Sequence, residues 1–150
     1  MKATFGAGCF WHVEDLLSKT KGVTSTAVGY IGGQLPNPTY EEVCTAQTGH
    51  AEAVEVEFDP DEITYEALLD IFWRNHNPTT LNRQGPDVGN QYRSAIFYHD
   101  DTQKEIAEKS KQSLDSSKSF NDPIVTQIIP APKFYKAEEY HQKYFKKQGF

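Results

Sequence analysis

One stretch of the chain decides much of the predicted architecture, and it reads Thr48-Gly49-His50-Ala51-Glu52-Ala53-Val54-Glu55-Val56-Glu57-Phe58. Successive side chains of a strand point to opposite faces of a sheet, and this segment alternates with that period of two. We therefore predict a strand over residues 50–59, which Pro60 ends. Glu52 falls on the apolar face of this strand, whereas Glu55 and Glu57 fall on the other.

Glu52 is a candidate proton donor because of that face. Burial removes the hydration that a charged carboxylate needs, so it raises the pKa of a carboxyl group towards neutrality. A carboxylic acid that keeps its proton near pH 7 can protonate a substrate. The alternative is that Glu52 lies at the end of its strand and reaches water, or pairs with an arginine such as Arg83 or Arg93.

The segments around this strand alternate between strand and helix patterns. Further strands are predicted over residues 2–7, 23–31, 93–99 and 124–129. Five helices are also predicted. The first begins at Phe10, the second spans 39–46, and the third begins at Thr64 with an apolar face that reaches His76. The fourth runs from a Thr102-x-x-Glu105 capping box to about Ser117, and the fifth spans 138–147. The loop over 77–91 is long for a compact domain, and such loops are usually functional.

The element order β-α-β-β-α-β, followed by α-β-α, predicts an α+β fold. We expect a two-layer α/β sandwich with a ferredoxin-like, split βαβ core, in which helices cover one side of a mixed, mainly antiparallel sheet. The 150 residues contain no linker and no internal repeat. We therefore expect a single domain over residues 1–150.

Composition excludes several classes of protein and partner. Aromatic residues make up 13% of the chain, which argues against disorder. The net charge is −6, so a nucleic acid would meet repulsion and is not expected as a partner. No apolar run reaches the roughly 20 residues of a membrane span. Since the amino terminus also lacks a signal-peptide pattern, we expect a cytoplasmic protein that does not bind membranes.

Gly8-Cys9-Phe10-Trp11 is the motif that most directly indicates chemistry. It places Cys9 where a glycine turn leads from a strand into a helix, and the free N–H groups and dipole of a helix start favour a thiolate. The two aromatic residues that follow would set an apolar wall beside the sulfur, which suits a substrate with a small apolar group. The alternative is that Cys9 is a small core residue and that the aromatic residues are ordinary packing.

Other candidate residues and sites are weaker when taken alone. Tyr40, Asp87 and Tyr92 each fit ordinary turn or surface positions. Cys9-x-x-His12 is half of a zinc motif, but no matching pair of ligands follows, so no metal is expected. The sequence contains neither a Gly-x-Gly-x-x-Gly nor a Walker loop, so no nucleotide cofactor is expected.

Four motifs, taken together and in order, resemble one family. They are Gly8-Cys9-Phe10-Trp11, Val28-Gly29-Tyr30-Ile31-Gly32-Gly33, Thr48-Gly49-His50-Ala51-Glu52-Ala53-Val54 and Gln91-Tyr92-Arg93-Ser94, with Pro38-Thr39-Tyr40 and Asp87-x-Gly89 between them. This set looks like the A-class peptide methionine sulfoxide reductases, and the resemblance runs from Phe5 to Tyr144. It implies a two-layer α/β fold with a ferredoxin-like core, in agreement with the element order.

The resemblance also implies a role for each of seven side chains in one catalytic domain. Cys9 would be the nucleophile, Glu52 the acid that protonates the sulfoxide oxygen, Tyr40 and Tyr92 the hydroxyls that hold that oxygen, Phe10 and Trp11 the pocket for the S-methyl group, and Asp87 a residue that fixes the polar side of the site. No role in this set requires a metal or a cofactor.

The implied activity is thiol-dependent reduction of methionine S-sulfoxide, free and in proteins, to methionine. It would pass through a sulfenic acid on Cys9 and would repair oxidised proteins. The implied partners are oxidised methionine and a thiol reductant such as thioredoxin or glutaredoxin, and we expect a monomer. Two other classes remain open: a thiol hydrolase or peroxidase that uses Cys9, and a ferredoxin-like binding module whose cysteine is idle.

Recycling of oxidised Cys9 is the step at which this sequence departs from the family. Members with a recycling cysteine usually carry it on a Gly-rich carboxy-terminal tail, whereas this sequence ends at Gly149-Phe150. Cys44 is the possible resolving cysteine, because it lies one helical turn after Tyr40 on the same face. Two cysteines held by helices have little freedom to form a disulfide, so we expect an external thiol to attack Cys9 directly.

Overall fold

The computed structural model describes residues 1–149, which form a mixed sheet with helices packed against it. The strands are β1 (Lys2–Ala7), β2 (Val23–Ile31), β3 (Ala51–Phe58), β4 (Arg83–Gln84), β5 (Asp87–Val88), β6 (Ser94–Tyr98), β7 (Gln127–Pro130) and β8 (Tyr135–Lys136). The helices are α1 (Phe10–Ser18), α2 (Tyr40–Cys44), α3 (Tyr65–Arg74), α4 (Asp101–Ser116) and α5 (Tyr144–Lys147). Short 3-10 turns lie at Asn90–Tyr92 and Glu139–His141.

Six of the strands form one sheet in the order β7-β6-β1-β3-β2-β8. The strand from which the sequence analysis started, β3, pairs antiparallel with both β1 and β2. The β6–β7 pair is parallel, and β1–β6 and β2–β8 are antiparallel. The prediction of a mixed, mainly antiparallel sheet is therefore confirmed. The loop over 77–91 contains a separate two-stranded hairpin of β4 and β5.

Two apolar clusters use opposite side chains of β3. The larger cluster joins Val54 and Val56 to the buried faces of α1, α3 and α4. The smaller cluster joins Ala51 and Ala53 to Phe97 and to residues of the segment 129–134. Because side chains alternate along a strand, the even-numbered residues of β3 face the helices. Within residues 1–149, no helix is both long and apolar enough to cross a membrane.

The central helix α3 has the predicted apolar face but ends earlier than expected. Thr64 caps it by accepting a hydrogen bond from the N–H of Ala67. The helix ends at Arg74, so the prediction that its face reaches His76 is wrong. His76 instead bridges the Phe72 carbonyl and the Ser94 hydroxyl, and its burial lowers its pKa to about 4. These bonds outside the helix replace the continuation that the spacing predicted.

The predicted capping box of α4 is also wrong. The helix begins at Asp101, and Asp100 caps it by accepting a hydrogen bond from the N–H of Gln103 at 2.8 Å. The Gln103 side chain donates to the Lys2 carbonyl at 2.7 Å, and this contact anchors the first turn against β1. Thr102 is exposed and lies inside the helix.

The carboxy-terminal part of the chain differs most from prediction. The strand predicted over 124–129 is displaced to Gln127–Pro130, and β8 was not predicted. The helix predicted over 138–147 is instead a 3-10 turn and the short α5, separated by Lys143 in the left-handed region at φ +52°. The segment is drawn onto the sheet by the buried amide of Gln142, which bonds both the N–H and the carbonyl of Val28. Such long-range contacts override helical spacing.

We expect Asp100→Ala to lower the free energy of unfolding by about 1 kcal/mol, because it leaves the N–H of Gln103 without its cap. Asp100→Asn should keep most of the stability, since an amide oxygen can accept the same bond. Thr102→Ala is the matched control and should change stability by less than about 0.5 kcal/mol. Urea unfolding of the three variants measures these differences in the free energy of unfolding. Equal losses in the Asp100→Ala and Thr102→Ala variants would contradict the cap assignment.

Candidate active site

Cys9 lies at the junction of β1 and α1, in the position before the first helical residue. Gly8 makes the turn with φ +92°, and a Cβ there would come within 2.9 Å of the Gln84 side chain. The backbone N–H groups of Trp11 and His12 hydrogen-bond the Cys9 sulfur and lower its pKa. The predicted donors at the helix start are therefore present.

Burial outweighs these donors. It raises the pKa of Cys9 to about 11, and the negative charges of Glu52 and Asp87 act in the same direction. The donors at the helix start act in the expected direction, but desolvation of the sulfur raises the pKa by more than these two donors lower it. Cys9 is a neutral thiol at pH 7.

Glu52 faces inward, as the alternation of its strand predicted, and is only 1% exposed. Its Oε1 accepts a hydrogen bond from the backbone N–H of Phe10 at 3.4 Å, and its Oε2 has no hydrogen-bond partner within residues 1–149. Burial raises the pKa of Glu52 to about 7; the Phe10 N–H opposes this, and the charge of Asp87 adds to it. The carboxyl group thus titrates near neutrality.

The alternative pairing of Glu52 with an arginine does not occur. The Arg93 guanidinium donates from Nε to Gln127 Oε1 and from Nη1 to the Asn90 carbonyl. The Arg83 Nε donates to the Gly85 carbonyl. Both side chains are therefore engaged elsewhere, and desolvation of Glu52 is not offset by a nearby cation.

Two tyrosine hydroxyls lie in the same electrostatic environment. Tyr40 is the first residue of α2, behind a capping box formed by Thr39 and Glu42, and its hydroxyl hydrogen-bonds the Cys44 sulfur. Tyr92 ends the 3-10 turn after the hairpin. Burial and the charge of Glu52 raise the pKa of both tyrosines, that of Tyr92 to about 12. Both phenols keep their protons at pH 7 and can donate hydrogen bonds.

Asp87 lies in the β4–β5 hairpin and joins the site through its charge. It raises the pKa of Cys9, Glu52 and Tyr92. Residues that are far apart in sequence are therefore close enough to influence one another's protonation. The side-chain charges that act most strongly on the Cys9 sulfur are those of Glu52 and Asp87, and neither belongs to a histidine.

The two aromatic residues after Cys9 have different surroundings. Phe10 is 1% exposed, and its ring packs on Tyr40 and His141 with centroids 6.4 and 5.3 Å apart, so it backs the site from the core. Trp11 is half-buried; its ring stacks on Tyr144 at 3.9 Å, and its Nε1 donates to His141 Nδ1 at 3.0 Å. The Trp11 ring is thus held between Tyr144 and His141.

Sequence reasoning missed two residues of the carboxy-terminal segment, Glu138 and His141, which contact Tyr30, Tyr40 and the aromatic residues after Cys9. His141 is 1% exposed and packs on the Tyr40 ring at 4.3 Å. The carboxyl group of Glu138 accepts hydrogen bonds from the Tyr30 hydroxyl and the Tyr40 backbone N–H. The sequence predicts a single helix over 138–147, and no local signal distinguishes that helix from the 3-10 turn and the short α5 that the structure has there.

Cys44 lies beside the site with its side chain exposed. Its spacing from Tyr40 correctly predicted a shared face, since the Tyr40 hydroxyl contacts the Cys44 sulfur. Partial burial and the charges of Glu52 and Glu138 raise the pKa of Cys44, although the Tyr40 hydroxyl lowers it. The thiol form is therefore favoured at pH 7.

Comparisons of the sequence and the fold with known proteins point to one family. The family model described as peptide methionine sulfoxide reductase matches residues 1–149. A peptide methionine sulfoxide reductase MsrA from Methanothermobacter thermautotrophicus is 65% identical, over 97% of this chain and 86% of its own. Reduced Mxr1 from Saccharomyces cerevisiae has a TM-score of 0.93 at 38% identity, over 99% of this chain and 86% of its own. Mxr1 in complex with Trx2 matches with a TM-score of 0.68 at 27% identity, over 96% of this chain and 84% of its own.

A family model that matches residues 1–149 and a relative that is 65% identical over 97% of this chain lead to one conclusion. The chain belongs to the peptide methionine sulfoxide reductase family, and to its A class.

Proposed function

We propose that this site reduces methionine S-sulfoxide to methionine with Cys9 as the nucleophile and Glu52 as the proton donor. The observation that carries the proposal is a thiol at a helix start beside a 1% exposed carboxyl group whose pKa is about 7. A sulfoxide needs both groups, because its sulfur accepts a nucleophile only as its oxygen takes a proton. A thiol hydrolase would instead need a histidine base next to Cys9.

The reaction balances with these groups alone. The Cys9 sulfur bonds to the sulfoxide sulfur while Glu52 gives its proton to the sulfoxide oxygen. The S–O bond of the substrate then breaks, the oxygen bonds to the Cys9 sulfur, and the bond between the two sulfurs breaks so that its electron pair leaves with the thioether. Cys9 ends as a sulfenic acid, and the proton that the thiol loses replaces the one that Glu52 delivers. Cys9 is oxidised and the methionine sulfur is reduced.

The surrounding side chains suit binding of the sulfoxide group. The Tyr40 and Tyr92 hydroxyls keep their protons and donate to the sulfoxide oxygen, which becomes more basic as the S–O bond breaks. Trp11, backed by Phe10, receives the S-methyl group. Asp87 borders the polar side of the site, where the sulfoxide oxygen binds. This arrangement has one side for the oxygen and another for the methyl group, which supports selection of the S epimer in free methionine and in exposed protein methionines.

Recycling requires an external thiol. A first thiol attacks the Cys9 sulfenic acid, releases water and forms a mixed disulfide; a second thiol releases Cys9 and leaves as a disulfide. A structure of the related Mxr1 in complex with Trx2 supports thioredoxin as this partner, and glutaredoxin or a small thiol has the same chemistry. Cys44 is a poor competitor, because it ends α2 while Cys9 stands at the start of α1, and two cysteines held by helices have little freedom to form a disulfide.

The wider setting follows from the same proposal. The order β6-β1-β3-β2, with α1 after β1 and α3 after β3, supports a ferredoxin-like, split βαβ core in one catalytic domain over 1–150. We propose a monomeric, cytoplasmic enzyme that repairs oxidised proteins. Sedimentation of the purified protein tests the proposed oligomeric state, and a monomer should sediment with a mass of 17.0 kDa.

We expect Cys9→Ser to form no detectable methionine from a methionine S-sulfoxide peptide, because a serine hydroxyl cannot accept the oxygen atom and return to a thiol cycle. The near-isosteric change should leave the circular dichroism spectrum unaltered. Chromatographic detection of methionine under single-turnover conditions measures the loss. Activity equal to that of the unsubstituted chain would exclude Cys9 as the nucleophile.

Glu52 should control the pH dependence of the reaction. The Cys9–Glu52 pair holds two protons below pH 7, and as the pH rises through about 7 the first proton leaves Glu52. The reactive form, thiolate with carboxylic acid, is a minor arrangement of the one-proton state. We therefore expect kcat/KM, which reports the free enzyme, to rise up to about pH 7 and then stay level.

Glu52→Gln should lower the single-turnover rate by about 10²–10⁴-fold, the usual range for loss of general acid catalysis. It should also remove the plateau, so that kcat/KM rises steadily with the thiolate fraction of Cys9 above pH 7. Stopped-flow assays from pH 5 to 9 measure both effects. A plateau that survives the substitution would show that another group is the acid.

Cys44→Ser should keep the full multiple-turnover rate with dithiothreitol and with thioredoxin, because the external thiol reaches Cys9 directly. Non-reducing peptide mapping after one turnover should find the oxidised sulfur on Cys9. A Cys9–Cys44 disulfide, together with loss of turnover in the variant, would instead assign Cys44 as the resolving cysteine.

A further inference from the structure

The face of α1 that packs inward contains one acidic residue among apolar ones. Glu14 lies between Phe10 and Leu17 at helical spacing and is 2% exposed. Its Oε2 accepts a hydrogen bond from the Thr26 hydroxyl at 2.9 Å, and its Oε1 accepts one from the backbone N–H of Lys143. Buried carboxyl groups are costly, so such a position indicates a requirement for its hydrogen bonds.

The Lys143 amide that Glu14 binds belongs to a strained residue. Lys143 has φ +52°, in the left-handed region that residues other than glycine adopt at a cost. At this residue the 3-10 turn Glu139–His141 gives way to α5. The Lys143 side chain is exposed, so the contact with Glu14 uses its backbone. Glu14 thus stabilises the direction in which the chain turns into α5.

That turn decides where Tyr144 lies. Tyr144 follows Lys143 directly and stacks on Trp11 with an interplanar angle of 11°. On the other side of the turn, His141 accepts the hydrogen bond from the Trp11 indole. A cavity of about 390 Å³ is lined by Trp11, Glu14 and Tyr144, so the stacked rings border open space on this side.

We infer that Glu14 is a positioning residue for the S-methyl pocket. Through the Lys143 amide it holds Tyr144 against Trp11, and it thereby limits the alkyl group that the pocket accepts. The inference rests on the proposed function, in which Trp11 contacts the methyl group of the substrate. Cys9 and Glu52 are held by β1, α1 and β3 and do not depend on this turn. Glu14 therefore affects substrate binding rather than the chemical step.

The test compares Glu14→Ala with Glu14→Gln, which keeps an oxygen for the Lys143 amide and a donor for Thr26. Glu14→Ala should raise KM for a methyl S-sulfoxide about tenfold and change the saturating single-turnover rate by less than about threefold. Its preference for methyl over ethyl sulfoxide should fall. Glu14→Gln should lie within about twofold of the unsubstituted chain. Lys143→Gly, which keeps the amide and favours the left-handed turn, should leave KM unchanged.

Fluorescence supplies a readout that is independent of catalysis. The chain has two tryptophans, so Trp73→Phe leaves Trp11 as the reporter. In that background Glu14→Ala should make Trp11 more accessible to acrylamide, and Glu14→Gln should not. If Glu14→Ala does not fold, Tyr144→Ala tests the same contact, since it removes the ring that Glu14 positions and should reproduce the rise in KM.

An unchanged KM and unchanged quenching in Glu14→Ala would overturn the inference, as would a normal KM in Tyr144→Ala. Equal losses in the Ala and Gln variants of Glu14 would also overturn it, because the amide keeps both bonds. If the unsubstituted chain fails to reduce the sulfoxide, the proposed function fails instead, and the quenching comparison still decides whether Glu14 positions Trp11.

Discussion

The backbone N–H of Phe10 donates to the carboxyl group of Glu52, 42 residues further along the chain, and the site depends on this contact. It joins the first residue of α1 to the helix-facing side of β3. The same hydrogen bond brings the Cys9 sulfur and a carboxyl group together in a place from which water is largely removed. This hydrogen bond depends on two local features: the turn at Gly8, which leads β1 into α1, and the alternation of β3, which points Glu52 towards the helices.

Removal of water then controls the protonation of the site. Burial raises the pKa of Cys9, of Glu52 and of both tyrosines, and the acids in the site add to the effect. In the resting site Cys9 is therefore a thiol and both tyrosines are neutral, while the Glu52 carboxyl group titrates near pH 7. That state suits the reduction of a sulfoxide, because the substrate oxygen needs a proton at the same moment as its sulfur needs a nucleophile. A helix start alone would favour the nucleophile and leave the proton unsupplied.

The carboxy-terminal segment closes the site from the other side. Gln142 replaces a strand partner by pairing its amide with the backbone of Val28, and Glu138 joins Tyr30 to the start of α2. Glu14 continues this series at Lys143. Two buried polar side chains, Gln142 and Glu14, and the half-buried Glu138 thus hold in place a segment that has little regular structure of its own. Each of them is satisfied by backbone or hydroxyl groups, which is how polar groups remain tolerable in a core.

Local pattern by itself determined the features that depend on near neighbours in the chain. The period of two in β3 placed Glu52 inward, the spacing of Tyr40 and Cys44 placed them on one face, and Gly8 placed Cys9 at a helix start. The motifs also identified the family. These features were predictable because alternation, helical spacing and turn chemistry act over a few residues.

Tertiary structure alone decided the features that join distant parts of the chain. The cap of α4, the path of residues 138–147 and the burial of Glu14 each depend on partners that no local pattern specifies; Glu14, for example, meets the Lys143 amide across 129 residues. The protonation of Cys9 belongs to this group as well. Its donors follow from the helix start, but its pKa follows from how far burial removes water from the sulfur, and desolvation is a property of the packed molecule.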